Sequence, residues 1–194
     1  TSLIGDADNS NDSTTNYVVN NLLTVSTYPY FEDFESGKGG WDSAGINNSW
    51  DFGTPTKTTI NSAGSGFNSW VTGGLGLGSY NNNENSWVSG PCFDFSTLVS
   101  PIIEMLIWWN SEFSWDGTAL QSSIDSGATW QNVGAFGDPN NWYTDNTING
   151  NPGGQQEGWT GRDATGNGSA GWVLASHDLT GLGGQSNVRL RIAF

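Results

Sequence analysis

Ser123-Ile124-Asp125-Ser126-Gly127-Ala128-Thr129-Trp130 decides the fold, because it fits S-x-D-x-G-x-T-W at every fixed position. The pattern predicts a β-hairpin. The Asp125 carboxylate can accept backbone N–H bonds across the turn, Gly127 supplies a positive φ, and Thr129 and Trp130 restart a strand and anchor it. Strand-like runs flank it on both sides, Ala119 to Ile124 before and Trp130 to Val133 after.

The composition extends this reading to the whole chain. Only 35% of the 194 residues are apolar and 12% are charged, yet there are 11 Trp and 28 Gly. Such a mixture is poor helix material and suits strands joined by many polar turns, so the chain reads as all-β. The length fits one sandwich. Nineteen acidic against five basic residues leave a formal charge of −14, which repels nucleic-acid phosphate and anionic lipid. Nucleic-acid partners and membrane insertion are therefore not expected. Longest of the apolar runs is Ile102 to Trp109, far short of the ~20 residues of a membrane helix. Cys92 is the single cysteine, beside Pro91 and Phe93, and is read as a small buried hydrophobe. No disulfide can staple the core, which favours a bacterial source over an animal ectodomain. The absence of a signal-peptide pattern and the ending on an unbroken strand lead us to expect a mature fragment of a longer chain.

Two pieces are predicted. Residues 1–28 form a linker or the end of an upstream β-module; residues 29–194 form the sandwich. In the first piece Asp6, Asp8 and Asp12 have the look of a calcium loop, but the sixth and twelfth places counted from Asp6 hold Asn11 and Tyr17, so a solvated loop is expected. Tyr17 to Ser26 reads as a strand or a linker. In the second piece further strands are expected at Tyr30 to Phe34, Ser69 to Thr72, Trp87 to Val88, Ile102 to Trp109, Trp172 to Ser176 and Val188 to Phe194. Ile102 to Trp109 is apolar on both faces and predicts a central strand. Val188, Leu190, Ile192 and Phe194 alternate with Asn187, Arg189, Arg191 and Ala193, which predicts one wet face. No 20–50-residue period repeats, which removes support for propellers and solenoids.

The octet resembles the Asp-box of secreted β-rich proteins, where it shapes a turn and catalyses nothing. Other pieces recur in a fixed order: Phe31-Glu32-Asp33-Phe34-Glu35-Ser36-Gly37 with Trp41; Trp50-Asp51-Phe52-Gly53-Thr54-Pro55; Ser69-Trp70-Val71-Thr72 with Gly78-Ser79-Tyr80; Glu84 with Ser86; Phe93-Asp94-Phe95-Ser96; and Trp172 with the closing Val188 to Phe194. Together they resemble the MAM-like jelly-roll modules of bacterial surface and secreted proteins. These include modules of gliding, type IX-secreting Bacteroidota and modules appended to immune-inhibitor-type metallopeptidases. The resemblance implies an extracellular jelly-roll β-sandwich with a non-catalytic role in adhesion or display, contacting a cell surface, a polysaccharide or the secretion machinery. It also implies a structural Ca2+, for which Glu35 is the first ligand candidate, with Asp33 and Asp116 behind it. Where the family reads S-P, this chain has Ser89-Gly90-Pro91, a one-residue insertion that a bulge would absorb.

Enzymatic chemistry finds little support. His177, the single histidine, lies in Ala175-Ser176-His177-Asp178 and reads as a surface turn residue; no G-x-S-x-G is present, and one His with one Cys makes a poor zinc site. Glu104 and Glu112 are the acids nearest the aromatic-rich strand, and the bland reading puts Glu104 on a core strand with a hydrogen-bond partner and Glu112 in a solvated loop. Carbohydrate binding is the second functional reading, because indole faces stack on sugar rings. Trp142, Tyr143 and Trp159, on a long Gly/Asn-rich loop, are its ligand candidates, set against a role as local loop anchors. An accessory domain of a secreted metallopeptidase is the third. Asp12-Ser13-Thr14 and Asp42-Ser43-Ala44 resemble the D-S/T-x signal of bacterial O-glycosylation, making Ser13 and Ser43 candidate acceptors; Asn11, Asn47 and Asn167 open eukaryotic N-linked sequons instead.

Overall fold

A computed structural model describes residues 23–194. The first 22 residues, with Asp6, Asp8, Asp12, Ser13 and most of the Tyr17 to Ser26 run, lie outside the described part. Ten strands run in order: β1 (Thr24–Val25), β2 (Asp42–Ile46), β3 (Asp51–Gly53), β4 (Ser69–Val71), β5 (Asn85–Phe93), β6 (Ile102–Ile107), β7 (Ala119–Ser123), β8 (Gln131–Asn132), β9 (Val173–Asp178) and β10 (Val188–Ala193). The described residues contain no α-helix, only 3-10 turns at Pro152–Gly154 and Asp163–Thr165. The chain is all-β, as its composition predicts.

The main sheet has the order β1-β5-β10-β7-β8, and β2 joins β5 on the edge that β1 also uses. Only the β1–β5 pair is parallel in it. β3 pairs with β4, and β6 with β9, as two-stranded antiparallel sheets. The inward rows of the β6–β9 pair and of β10 pack on one core in a sandwich-like arrangement. Ile103, Met105 and Ile107 pack on a cluster that includes Leu120, Ala175, Val188 and Leu190. Each fully buried Leu or Val there contributes about 1.5–3 kcal/mol relative to an exposed one.

The insertion in β5 does form a bulge. Arg189 pairs with Cys92 and Arg191 with Ser89, so Gly90 and Pro91 together face Leu190. A bulge is where proline, which cannot donate to a ladder, fits inside a sheet. Gly90 is required for a second reason: a Cβ there would sit 2.9 Å from the Trp41 ring.

Two strand expectations are corrected. Tyr30 to Phe34 is not a strand, because Glu32 Oε1 accepts the Phe34 N–H at 2.8 Å and Asp33 Oδ1 accepts the Glu35 N–H at 3.0 Å. Acidic side chains that capture nearby amides compete with ladder formation, and Phe34 lies at φ 63°. β6 is not central either, pairing among the described residues with β9 alone. Its outer row leaves Ile102, Leu106 and the facing Leu174 exposed, while Glu104, expected on a core strand, is solvent-facing. Trp108 and Trp109 diverge as their alternation requires. Trp109 packs on the core, whereas Trp108 meets Trp172 edge-on at 6.1 Å.

The Asp-box hairpin forms between β7 and β8, with Gln121 opposite Asn132. Asp125 accepts from Thr129 N (2.9 Å), Thr129 Oγ1 (2.6 Å) and Ser123 Oγ (2.7 Å), and Gly127 takes φ 90°. The Thr129 hydroxyl and amide, followed by the Ser123 hydroxyl, hold the Asp125 carboxyl well below the usual carboxylate range. A depressed folded-state pKa stabilises the fold above the unfolded value near ~3.9 and is lost as pH falls through the folded value. Wild-type melting temperature should therefore fall below pH ~4, and Asp125→Asn should show a shallower acid slope; parallel slopes would contradict the hydrogen-bonding account.

Trp130 differs from expectation, since the strand restarts at Gln131 and the indole is only half-buried. Its Nε1 donates to Gly127 O at 3.0 Å, and its face covers the Arg191 guanidinium at 4.1 Å, with Trp87 on the same cation at 4.9 Å. Burial lowers the Arg191 pKa to about 10. Trp130→Ala should cost about 1–2 kcal/mol, the scale of a cation–π contact plus one hydrogen bond, rather than the full core value. Urea denaturation measures it.

Candidate functional site

The Glu112 to Asp116 turn brings together the best-placed polar side chains. Ser114 adopts φ 58°, a left-handed conformation that needs external support. That support comes from Thr160, which is fully buried: its Oγ1 accepts from Ser114 N, donates to the Asp116 carbonyl at 2.6 Å and lies 3.2 Å from the Glu112 carbonyl. Ser114 Oγ donates to Asp145 Oδ2 at 2.6 Å, and Ser111 Oγ to Asp116 O at 2.7 Å. The turn is thus fixed on its inner side.

On its outer side it borders an open groove of about 450 Å³ lined by Tyr80, Asn82, Asn110, Glu112, Asp116 and Arg162, among others. Tyr80 closes the floor: its hydroxyl donates to Asp116 Oδ2 at 2.9 Å and accepts from Glu112 N at 3.0 Å. Burial, followed by the accepting Asp116 carboxylate, pushes the Tyr80 pKa up to about 12, partly offset by the Glu112 amide. Arg162 faces Glu112 at 3.7 Å, a loose pair with both side chains about half exposed. Phe113 and Trp115, carried on this same turn, are 47% and 60% exposed. Glu112 and Asp116 were visible in the sequence as candidates, but Arg162 and Asn82 arrive from distant loops that no motif marks.

A second cleft, about 300 Å³, holds His177. The ring is not a surface turn residue: its side chain is 17% exposed and stacks on Trp142 with centroids 4.7 Å apart. Nε2 lies 2.9 Å from Asp138 Oδ2 and Nδ1 2.7 Å from Asp178 O. Nε2 thus faces a carboxylate oxygen and Nδ1 a backbone carbonyl oxygen. The Ala135 amide and then His177 lower the Asp138 pKa.

Trp142, Tyr143 and Trp159 belong to the core rather than to a ligand surface, at 3%, 3% and 1% exposure. They pack on one another at 4.7–5.5 Å between centroids. Each polar atom donates to a backbone carbonyl: Trp142 Nε1 to Val133 O, Tyr143 OH to Leu120 O, and Trp159 Nε1 to Asn141 O, all at 2.8 Å. A loop this long needs its own apolar anchors, and the three rings supply them.

The expected calcium ligands do not assemble into one centre. Glu35 Oε1 accepts two loop amides, Phe67 N at 2.9 Å and Asn68 N at 2.8 Å, so the carboxylate is a loop clasp. Asp33 binds the Glu35 amide and Asp116 binds Tyr80. Among the described residues no three His, Cys, Asp or Glu side chains converge on an ion-sized site. Ser43 is on β2 opposite Val88, half-buried, its hydroxyl accepting from Asn48 Nδ2 at 3.0 Å, rather than in a free turn. Cys92 is buried as expected, and its Sγ lies 3.2 Å from Asn187 Oδ1.

No helix among the described residues is long and apolar enough to cross a membrane. No family model and no solved structure matches the chain. Among curated proteins the chain is similar to Bacillopeptidase F of Bacillus subtilis (strain 168), 30% identical over 122 residues. The match covers 63% of this chain and 8% of that protein, so it joins the chain to a small part of a far longer bacterial protein.

Proposed function

We propose that the chain is a non-catalytic, MAM-like jelly-roll module of an exported bacterial protein, used for adhesion or display at the cell surface. The observation that carries this reading is the match to a small part of a protein named as a peptidase. It fits a module that accompanies catalytic machinery. Two features of the chain agree with it. The His177 ring is locked between Asp138 and the Asp178 carbonyl, and the Asp-box acts as a turn device. An extracellular location follows from the same reading. It is tested in the intact parent protein. Deleting residues 29–194 should leave any enzymatic rate in solution unchanged and weaken attachment to the cell surface. Loss of the rate with attachment intact would contradict it.

A second reading, a carbohydrate-binding module, is favoured by the open polar groove lined by Tyr80, Asn82, Asn110, Glu112, Asp116 and Arg162. The match to a peptidase supports the third, an accessory domain of such an enzyme, without favouring metal chemistry.

A further inference from the structure

We propose that Arg191, held by Trp87 and Trp130 on the outer face of the main sheet, docks a carboxylate carried by a partner peptide, with Arg189 as the second cation of the site. This goes beyond the surface-module reading and stands independently of it.

A buried cation without a counter-charge is the first observation. Arg191 is 9% exposed, and its one side-chain hydrogen bond among the described residues runs from Nε to Gln121 Oε1 at 2.9 Å. Burial lowers its pKa, and no carboxylate is set against that shift. A guanidinium withdrawn from water ordinarily has an anion to compensate it. The chain has nineteen acids for five bases, so partners are plentiful. Lys38 pairs with Asp42 and Arg162 with Glu112, yet neither Arg189 nor Arg191 makes an ion pair among the described residues. Asp42 shares the row of Arg191 two strands away and is engaged by Lys38, while the Asp125 oxygens are taken by Thr129 and Ser123.

The unused donors are the second observation. The Arg191 Nη groups have no acceptor among the described residues and are not enclosed, so they reach the surface; Arg189 Nε is buried with no acceptor at all. Both arginines stand on one face of β10, opposite Gln121 and Ser123, while Val188, Leu190 and Ile192 face the core. Arg189 and Trp130 meet at Gly127, where a Cβ would lie 3.4 Å from the indole and 3.9 Å from Arg189 Cδ. Arg191 is held in place before any ligand arrives. The Gln121 amide donates to Asn132 Oδ1 at 3.0 Å and to Gly153 O at 3.1 Å, which leaves its Oε1 to fix Nε, and the Trp87 and Trp130 rings hold the guanidinium. A cation ordered in advance loses little freedom on binding.

The ligand class follows from charge and shape. The planar N–H fork of arginine matches the two oxygens of a carboxylate. A polyanion would set many charges against the −14 of the chain, whereas one carboxylate in an otherwise neutral peptide meets the two local cations. Neither arginine and neither indole lines the two clefts described above. An open sheet face suits a chain laid across it.

Proton–nitrogen correlation spectra of the arginine Nε–H groups, recorded on the whole chain, test this. The probes are a terminally blocked alanine–glutamate–alanine peptide, its glutamine counterpart, a blocked-amine trialanine with a free C-terminal carboxylate, and an oligogalacturonate. The Arg191 signal should shift saturably with at least one of the two carboxylate peptides, the responsive one identifying a side-chain or a C-terminal source, and stay unmoved by the glutamine peptide. Arg191→Lys, which keeps the charge and loses the fork, should abolish saturable binding, read from the Arg189 signal and the backbone amides of β10. Arg189→Gln, at a less buried position, should weaken binding about tenfold, the scale of one hydrogen bond to a charged group; it carries the test if Arg191→Lys fails to fold. No saturable shift with either carboxylate peptide, an equal shift with the glutamine peptide, a response to oligogalacturonate alone, or wild-type affinity in Arg189→Gln would overturn the site.

Discussion

Trp159→Ala is expected to destabilise the fold by about 3–5 kcal/mol, the cost of removing a fully buried large aromatic. The indole is 1% exposed, meets Trp142 and Tyr143 edge-on at 5.0 and 4.7 Å, and donates to the Asn141 carbonyl. Truncation leaves a cavity beside the two remaining rings and removes the donor to the Asn141 carbonyl. Because the three rings tie the long loop to β7 through Leu120 and to the end of β8 through Val133, the loss should appear in the global unfolding transition. Equilibrium urea denaturation measures it as a fall in midpoint. A Trp159→Ala protein as stable as wild type would place the ring at the surface and restore the loop aromatics as ligand candidates.

Glu84→Ala should be the most damaging change of a charged residue, about 2–4 kcal/mol, since hydrogen bonds to a charged group contribute about 1.5–3 kcal/mol each and are not additive. The carboxylate accepts from Ser49 N (2.9 Å), Ser49 Oγ (2.5 Å), Asn81 N (3.0 Å) and Ser86 Oγ (2.6 Å). Ser49 Oγ accepts in turn from Gly73 N at 2.8 Å, so one carboxylate joins three loops at the start of β5. Glu84→Gln should recover part of the loss, because the amide oxygen still accepts, whereas its NH2 faces donors. Equal stability of Glu84→Ala and wild type would contradict this clamp.

The features legible in the sequence were those with a local physical code. The 123–130 octet specifies its turn through contacts within eight residues, whereas the bulge at Gly90-Pro91 was legible only as a one-residue insertion against the S-P of the modules the chain resembles. The alternation of Val188 to Ala193 declares a sheet with one polar face, although that face proves to be occupied by Arg191 between Trp87 and Trp130. What misled was decided by long-range packing. Whether a tryptophan on a polar loop is an anchor or a platform depends on which surface the loop folds against. Trp142 and Trp159 fold inward, while Trp115, in a stretch of similar composition, is left outside. Tyr30 to Phe34 reads as a strand from its aromatics, but two side-chain carboxylates take the local amides. The apolar outer row of β6 shows how an apolar run need not be covered by a second sheet.

The proposal that this chain supports binding or display predicts no chemistry of its own. Its most direct test is a panel of peptide, ester and glycoside substrates offered to the purified chain, to Glu104→Gln, Glu112→Gln and His177→Gln. Background rates throughout, identical in all four proteins, are the expected result. Turnover by the wild-type chain that disappears in any one of these variants would contradict the account.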